Sequence, residues 1–282
     1  MPFYLAIKLA ICLASFSSAL PVTDRPGLTW MHPILDNPNQ PDLRLANMSP
    51  PEVFRISEAD LTSLYHNTTA PPPSHGPAPS PQKRYTIGPD DRVRIDDRNY
   101  PFSAMGRLTN PKCPLLLSPA FNGAEVFPGA YVTEVLMPAE PLPDCPCCEN
   151  ADWAIFVLDK RLGESNGFLG ADALHDDRLK QKPLFYDYGY PGDLDGASRP
   201  YRQQSISVYK EMRCDATGPL DTDADGSQGM SGGPLWLLEN GNRWQYGVMA
   251  RLWFFDGVFT WSTFAGGEGW VGGVVHARET WP

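Results

Sequence analysis

The sequence predicts an all-β fold, a sandwich or barrel of short strands with one helix at the C-terminus. Three observations carry this. Thirty prolines and 25 glycines stand among 282 residues, and proline breaks helix interiors while both residues punctuate short strands. Short apolar and β-branched runs recur between turn signals from residue 129 to 264. A helical pattern occurs in one stretch, Val271–Trp281.

Taken in order, the chain opens on a leader. Residues 1–21 carry a single Lys8 among apolar residues, then Ser17-Ser18-Ala19 as a small-residue cleavage site. That run is too short to cross a hydrocarbon core of about 30 Å comfortably. It predicts a secretory signal peptide, and no other stretch is suited to span a bilayer, so a secreted protein without membrane attachment is expected. Residues 22–84 read as a propeptide. They end in a proline-rich linker, 71–82, followed by the dibasic pair Lys83-Arg84, which predicts a processing site in front of Tyr85. The segment 1–84 has six acidic and six basic residues, so the formal charge of −10 belongs wholly to 85–282. That acidic balance, with no Lys/Arg cluster, argues against nucleic acid. A hydrophobic fraction of 42% and an aromatic fraction of 11% are enough to fill a core.

From residue 85 onward strands predominate. Gly129–Met137 is β-rich with partial alternation, and Trp153–Leu158 is a short apolar run of the buried kind. Leu184–Tyr190 ends at the turn Pro191-Gly192, and Ser205–Met212 is a further candidate. Pro234–Leu238, Trp244–Ala250 and Val258–Phe264 are separated by Asn240-Gly241 and Asp256-Gly257.

The strongest chemical signal is Gly229-Met230-Ser231-Gly232-Gly233-Pro234-Leu235. A nucleophilic serine needs a tight turn that exposes its hydroxyl, with backbone N–H groups aimed at a developing oxyanion. Glycines on both sides permit such a turn, because they tolerate positive φ. Here the sequence resembles the trypsin-like (chymotrypsin-fold) serine endopeptidases, in particular their secreted glutamyl-endopeptidase-like branch. Asp152-Trp153-Ala154-Ile155-Phe156-Val157-Leu158 is similar to the strand after the catalytic aspartate. Gly189-Tyr190-Pro191-Gly192-Asp193 is similar to a turn of the second barrel, and Tyr100–Leu108 to the first strand. The resemblance implies a chymotrypsin-like double β-barrel with a C-terminal helix over 85–282, acting on polypeptide substrates as a monomer and without a cofactor or metal. It implies Ser231 as nucleophile, the N–H groups of Gly229 and Ser231 as oxyanion hole, and Asp152 as the carboxylate that orients a histidine. Met230 departs from the pattern. Many animal members carry aspartate there, which pairs with a newly cut N-terminus, so maturation here is expected to proceed by unmasking alone.

The general base is missing. The five histidines are His32, His66, His75, His175 and His276, and none lies between 85 and 152. The first-strand motif runs almost directly into Ser118-Pro119-Ala120-Phe121-Asn122-Gly123, which looks like the segment that follows the histidine. The first barrel is therefore expected to be incomplete and the chain a very poor protease as written. Two origins fit: a non-enzymatic homologue acting as a secreted binding protein, or an internal block omitted between Thr109 and Ser118. Retention of Ser231, Asp152 and the turn glycines favours the second. Cysteines agree: Cys113, Cys145, Cys147, Cys148 and Cys214 leave an odd number in 85–282. A zinc site at Cys145–Cys148 lacks a second ligand pair.

Two residues bear on substrate choice. Asp225 stands six residues before Ser231, where trypsin-like members carry a carboxylate at the base of the S1 pocket. Arg251 follows Gly247-Val248-Met249-Ala250 and would face an acidic P1 residue. The sequence does not decide between them. Asp221-Thr222-Asp223-Ala224-Asp225-Gly226 also opens like a calcium loop, but the position of the bidentate glutamate is Gly232. Surface aromatics at Trp253-Phe254-Phe255 admit a weaker lectin reading.

Overall fold

The computed structural model describes residues 85–109, 115–138, 148–209 and 217–281, with the backbone of 52–55. The leader, the linker, the dibasic pair, His32, His66 and His75 lie outside the described residues. So do Cys113, Cys145, Cys147 and Cys214, and the expectations about cysteine pairing fall with them.

Strands form two sheets. The first contains β1 (Glu52–Arg55), β3 (Gly106–Thr109), β4 (Leu116–Pro119), β5 (Ala130–Met137) and β6 (Ile155–Leu158). Its order is β1-β5-β4-β3, with β6 also paired to β5. The second contains β2 (Val93–Arg94), β7 (Gly170–Ala171), β8 (Phe185–Gly189), β9 (Tyr201–Ile206), β10 (Leu220–Thr222), β11 (Pro234–Glu239), β12 (Asn242–Phe255) and β13 (Val258–Gly266). Its order is β10-β13-β12-β11-β8-β9-β2, with β7 on β12. Helix α1 is Leu162–Asn166 and the C-terminal α2 is Glu268–Thr280. Two β sheets followed by a terminal helix match the predicted architecture.

The partial alternation read in β5 has a structural cause. Ala130 and Val132 are buried, then Val135 and Leu136 are. The register with β6 shifts between Val132 and Glu134. A bulge inserts one residue and moves the apolar set to the other phase of the pleat. Five predicted strands recur with small changes of boundary, as β5, β6, β8, β11 and β13, while β12 runs well past the expected 244–250. Of the candidate Ser205–Met212, residues 210–212 lie outside the described residues; in the described part the strand is β9, Tyr201–Ile206. Ser205 adopts a φ of 62°, a left-handed conformation that costs a non-glycine residue energy. The ladder ends at Ile206, and Val208 makes a single bridge to Thr222. The helix begins three residues earlier than expected. Gly267, with φ of 89°, turns the chain into it, and Trp270 anchors its first turn in the core.

Where the histidine block was expected, β3 and β4 pair directly, from Gly106↔Pro119 to Thr109↔Leu116. The chain therefore reverses between Thr109 and Leu116.

Two apolar clusters matter for the site. Phe185, Ile206, Leu220, Met230, Leu235 and Phe264 form the core of the second sheet. Trp153, Ala265, Trp270 and Val271 join the start of β6 to α2. Gly273 makes that junction possible, since a Cβ there would stand 2.7 Å from Trp153 Cη2. Gly273→Val is expected to cost about 1–3 kcal/mol through overpacking, read as a lowered midpoint in urea unfolding; an unchanged midpoint would show that α2 packs more loosely than described.

Candidate active site

Ser231 lies exposed on the turn that feeds β11. Local sequence makes the turn and long-range hydrogen bonds hold it. Gly229 has a φ of 98°, and a Cβ there would meet the Tyr190 carbonyl oxygen at 2.5 Å. Only glycine fits both conditions. The Met230 N–H donates to Ser227 O at 3.2 Å, and the Gly233 N–H to Met230 O at 2.9 Å. Two bonds tie the turn to β12: Gly232 N–H to Met249 O (2.9 Å) and Met249 N–H to Gly233 O (2.8 Å). A third joins it to the Gly189–Asp193 turn, from Gly192 N–H to Gln228 O at 2.7 Å. The N–H groups of Gly229 and Ser231 donate to no group among the described residues. Two unpaired donors beside an exposed hydroxyl suit an anionic oxygen.

Beneath the turn lies an ion cluster that sequence reasoning missed. Arg92 is buried. Its guanidinium donates to Asp90 Oδ1 at 3.0 Å and Asp193 Oδ2 at 2.6 Å, and its Nη1 lies 3.7 Å from Met230 Sδ. Burial alone would lower the pKa of Arg92; hydrogen bonds and charges from Asp193 and Asp90 outweigh it and raise the pKa. Met230 itself is buried. The methionine thus lies against a guanidinium whose charge is matched by Asp90 and Asp193.

Asp152 lies at the surface just before Trp153, and its N–H donates to Glu149 O at 3.2 Å. Desolvation raises its pKa, the charge of Arg251 opposes this, and Glu149 adds to it. Arg251 pairs with the buried Glu149 and stacks over Trp253, with Cζ 4.6 Å from the ring centroid. It is therefore engaged inside the protein beside Asp152. Asp225 likewise does not stand at the base of an open pocket. It is fully buried; its Oδ1 accepts the Ile87 N–H at 2.8 Å, and its N–H donates to Gln203 Oε1 at 2.7 Å. Its two neighbours in the acidic run also diverge, Asp221 towards Thr263 Oγ1 and Asp223 towards the Ser207 N–H at 2.7 Å.

The residues that follow the dibasic pair are docked along this region. Tyr85 exchanges two backbone hydrogen bonds with Gly226, of 3.2 and 2.9 Å, and its ring packs on Phe254 with centroids 4.7 Å apart. Phe254 and Phe255 lie exposed beside the Asp256-Gly257 turn of the β12–β13 hairpin.

Two histidines are described. His175 Nε2 is 4.0 Å from Glu268 Oε1, and the ring of His276 on α2 meets Trp281 edge-on. Among the described residues, no hydrogen bond or ion pair joins either of them to Ser231 or Asp152.

Asp187 lies behind the serine turn, fully buried on β8. Its Oδ1 accepts the Tyr188 N–H at 2.6 Å and its Oδ2 has no partner. Burial pushes its pKa up to about 7, against the Tyr188 hydrogen bond and the charge of Arg92. Burial likewise pushes Asp225 up to about 6.

No protein-family model and no curated protein matches the chain. Solved structures do. A Glu endopeptidase in complex with MPD superimposes with a TM-score of 0.55 at 18% identity, covering 69% of this chain and 99% of that one. The protease Anisep from Arthrobacter nicotinovorans matches with a TM-score of 0.35 at 13% identity, covering 65% and 88%. The chain therefore has the chymotrypsin-like serine-protease fold.

Two predictions follow from the buried charges. A carboxyl whose folded pKa is raised adds stability that is full below its unfolded value and lost as pH rises through the folded one. The share held by Asp187 is therefore present near pH 4 and gone above about pH 7. Asp187→Asn is expected to flatten the fall in urea-unfolding stability across that window and to exceed the parent at pH 8; parallel pH profiles would contradict it. Arg92→Leu removes the buried cation that Asp90 and Asp193 share and is expected to cost about 3–5 kcal/mol, measured as the loss of unfolding free energy at pH 7.

Proposed function

We propose that this protein is a secreted serine endopeptidase of the trypsin-like kind, with Ser231 as its nucleophile. The observation that carries the reading is the serine turn. Gly229, with positive φ, shapes a turn that exposes the Ser231 hydroxyl beside two backbone N–H groups that donate to no group among the described residues. In this reading Ser231 Oγ attacks the carbonyl carbon of a polypeptide bond. The Gly229 and Ser231 N–H groups hold the oxyanion of the tetrahedral intermediate. Asp152 fixes the tautomer of a histidine and stabilises its imidazolium.

That histidine is what this chain does not carry. Without a base the Ser231 hydroxyl keeps its proton near neutral pH and remains a weak nucleophile. Loss of one triad member still leaves catalysis of roughly 10³–10⁴-fold over water. The 282-residue chain is thus a very poor hydrolase, and the active form is one that carries a histidine-bearing block between Thr109 and Ser118. Asp225 and Arg251, both engaged within the protein, do not choose between a basic and an acidic P1 residue.

An organophosphonate probe separates these statements. The chain from residue 22 is expected to show no time-dependent labelling of Ser231. Rapid stoichiometric labelling, abolished in Ser231→Ala, would overturn its inertness. A form with the histidine-bearing block restored is expected to label. If that form folds yet stays unlabelled, the cleft is a binding surface without chemistry, and the endopeptidase reading falls.

A further inference from the structure

Strand β1 lies in the segment 22–84, which the sequence assigns to a detachable propeptide. It is nonetheless part of the first sheet. Glu52↔Met137, Val53↔Leu136, Phe54↔Val135 and Arg55↔Glu134 form an antiparallel ladder with the C-terminal half of β5.

The geometry of β5 explains why a strand is needed there. Each strand has two edges of N–H and C=O groups. β6 lies along β5 from Val132 to Leu136. On the other edge β4 pairs with Ala130 and Tyr131, and the Leu115 carbonyl just before it accepts the Val132 N–H at 2.9 Å. Without β1, that edge would have no strand partner among the described residues over Glu134–Met137. β3 and β4 pair with each other from Gly106↔Pro119 to Thr109↔Leu116, and among the described residues β1 is the strand that pairs with this part of β5 opposite β6. An open edge beside the buried Val135 and Leu136 is a template for pairing with any extended chain.

The second end of the segment is also fixed. Tyr85, thirty positions after Arg55, is bridged to Gly226 in the other half of the fold. The occupant is therefore tethered on its C-terminal side. A four-residue ladder is a weak association by itself, but a covalent link of this length gives an effective concentration on the order of millimolar.

We propose that the Glu134–Met137 edge of β5 is a strand-docking site whose occupant is Glu52–Arg55, held there as long as the chain is uncut at Lys83-Arg84. The segment is a removable strand of the sheet. Cutting converts an intramolecular contact into a bimolecular one, so in dilute solution the edge opens and becomes available to another extended peptide. This inference rests on strand pairing alone and is independent of any activity of Ser231.

The test uses the chain from residue 22, with residues 78–84 replaced by the recognition sequence of a site-specific protease. Hydrogen exchange is followed across 130–137. Before cutting, the amides of 134–137 that face β1 are expected to be protected. After cutting and dilution to low micromolar concentration they are expected to exchange roughly tenfold faster or more, while those facing β6 stay protected. A synthetic peptide of residues 50–57 at millimolar concentration is expected to restore protection. Unchanged protection after the N-terminal piece has been removed would overturn the site, and protection that survives cutting with the piece still bound would overturn the tether. Register is checked separately in the uncut chain. Glu52→Cys with Met137→Cys is expected to oxidise to a crosslink, whereas Glu52→Cys with Tyr131→Cys is not; the reverse pattern would overturn the pairing.

Discussion

The buried guanidinium of Arg92 holds the region around the serine turn in one arrangement. It lies under Met230 and binds Asp193 and Asp90 at once. Asp193 ends the Gly189–Asp193 turn, whose Gly192 N–H holds Gln228, two residues before Met230. Through one cation the structure therefore fixes three pieces of chain: the stretch after residue 85, the tyrosine-rich turn and the serine turn. A charge so deeply buried is costly unless every partner is present. The two aspartates meet that condition. Ile87 on Asp225 and Ile95 on the Pro200 carbonyl extend the same strap along the second sheet.

Around that clamp the chemistry is divided between two bodies of packing. The serine turn belongs to the second sheet and rests on the cluster of Phe185, Met230 and Leu235. Asp152 belongs to the junction of β6 with α2, where Trp153 fits against Gly273. A base placed between them would have to come from the first sheet, whose β3–β4 hairpin closes on itself. Near Asp152, Arg251 pairs with Glu149, and its charge opposes, without overcoming, the desolvation that raises the Asp152 pKa.

Much of this was legible in the sequence, for local reasons. Gly229 and Gly232 announce a turn because their positive φ suits glycine, and Gly233 because the Tyr188 carbonyl leaves no room for a Cβ. The runs at 130–137, 155–158, 185–189, 234–239 and 258–266 announce strands because their apolar content is dense and bounded by turns. The two-sheet fold with a terminal helix follows from them. What stayed hidden depends on distance along the chain. Arg92 and Asp193 are 101 positions apart, and Ile87 and Asp225 are 138 apart. Nothing near Arg92 in the sequence marks it as buried, and an aspartate six residues before a serine gives no sign that a backbone amide already occupies it. Glu52–Arg55 is hidden for a further reason: four residues carry too little pattern to read as a strand, and the reason for pairing lies in a gap on β5.

The long strand β12 carries a further consequence. Its Met249 backbone holds the serine turn, and two positions later Arg251 reaches the carboxylates beside Asp152. Between them the register against β13 skips one residue, so Met249 faces Phe264 and Arg251 faces Thr263. That skipped residue, Ala250, acts as a phase adjuster: it lets two consecutive odd positions serve opposite needs, one through the main chain and one through the side chain. The spacing of the site is thereby counted in residues along a single strand. Lengthening or shortening β12 by one position near Ala250 would leave the serine turn and the aspartate each intact but out of step with the other, as two gears on one shaft slip when a tooth is lost.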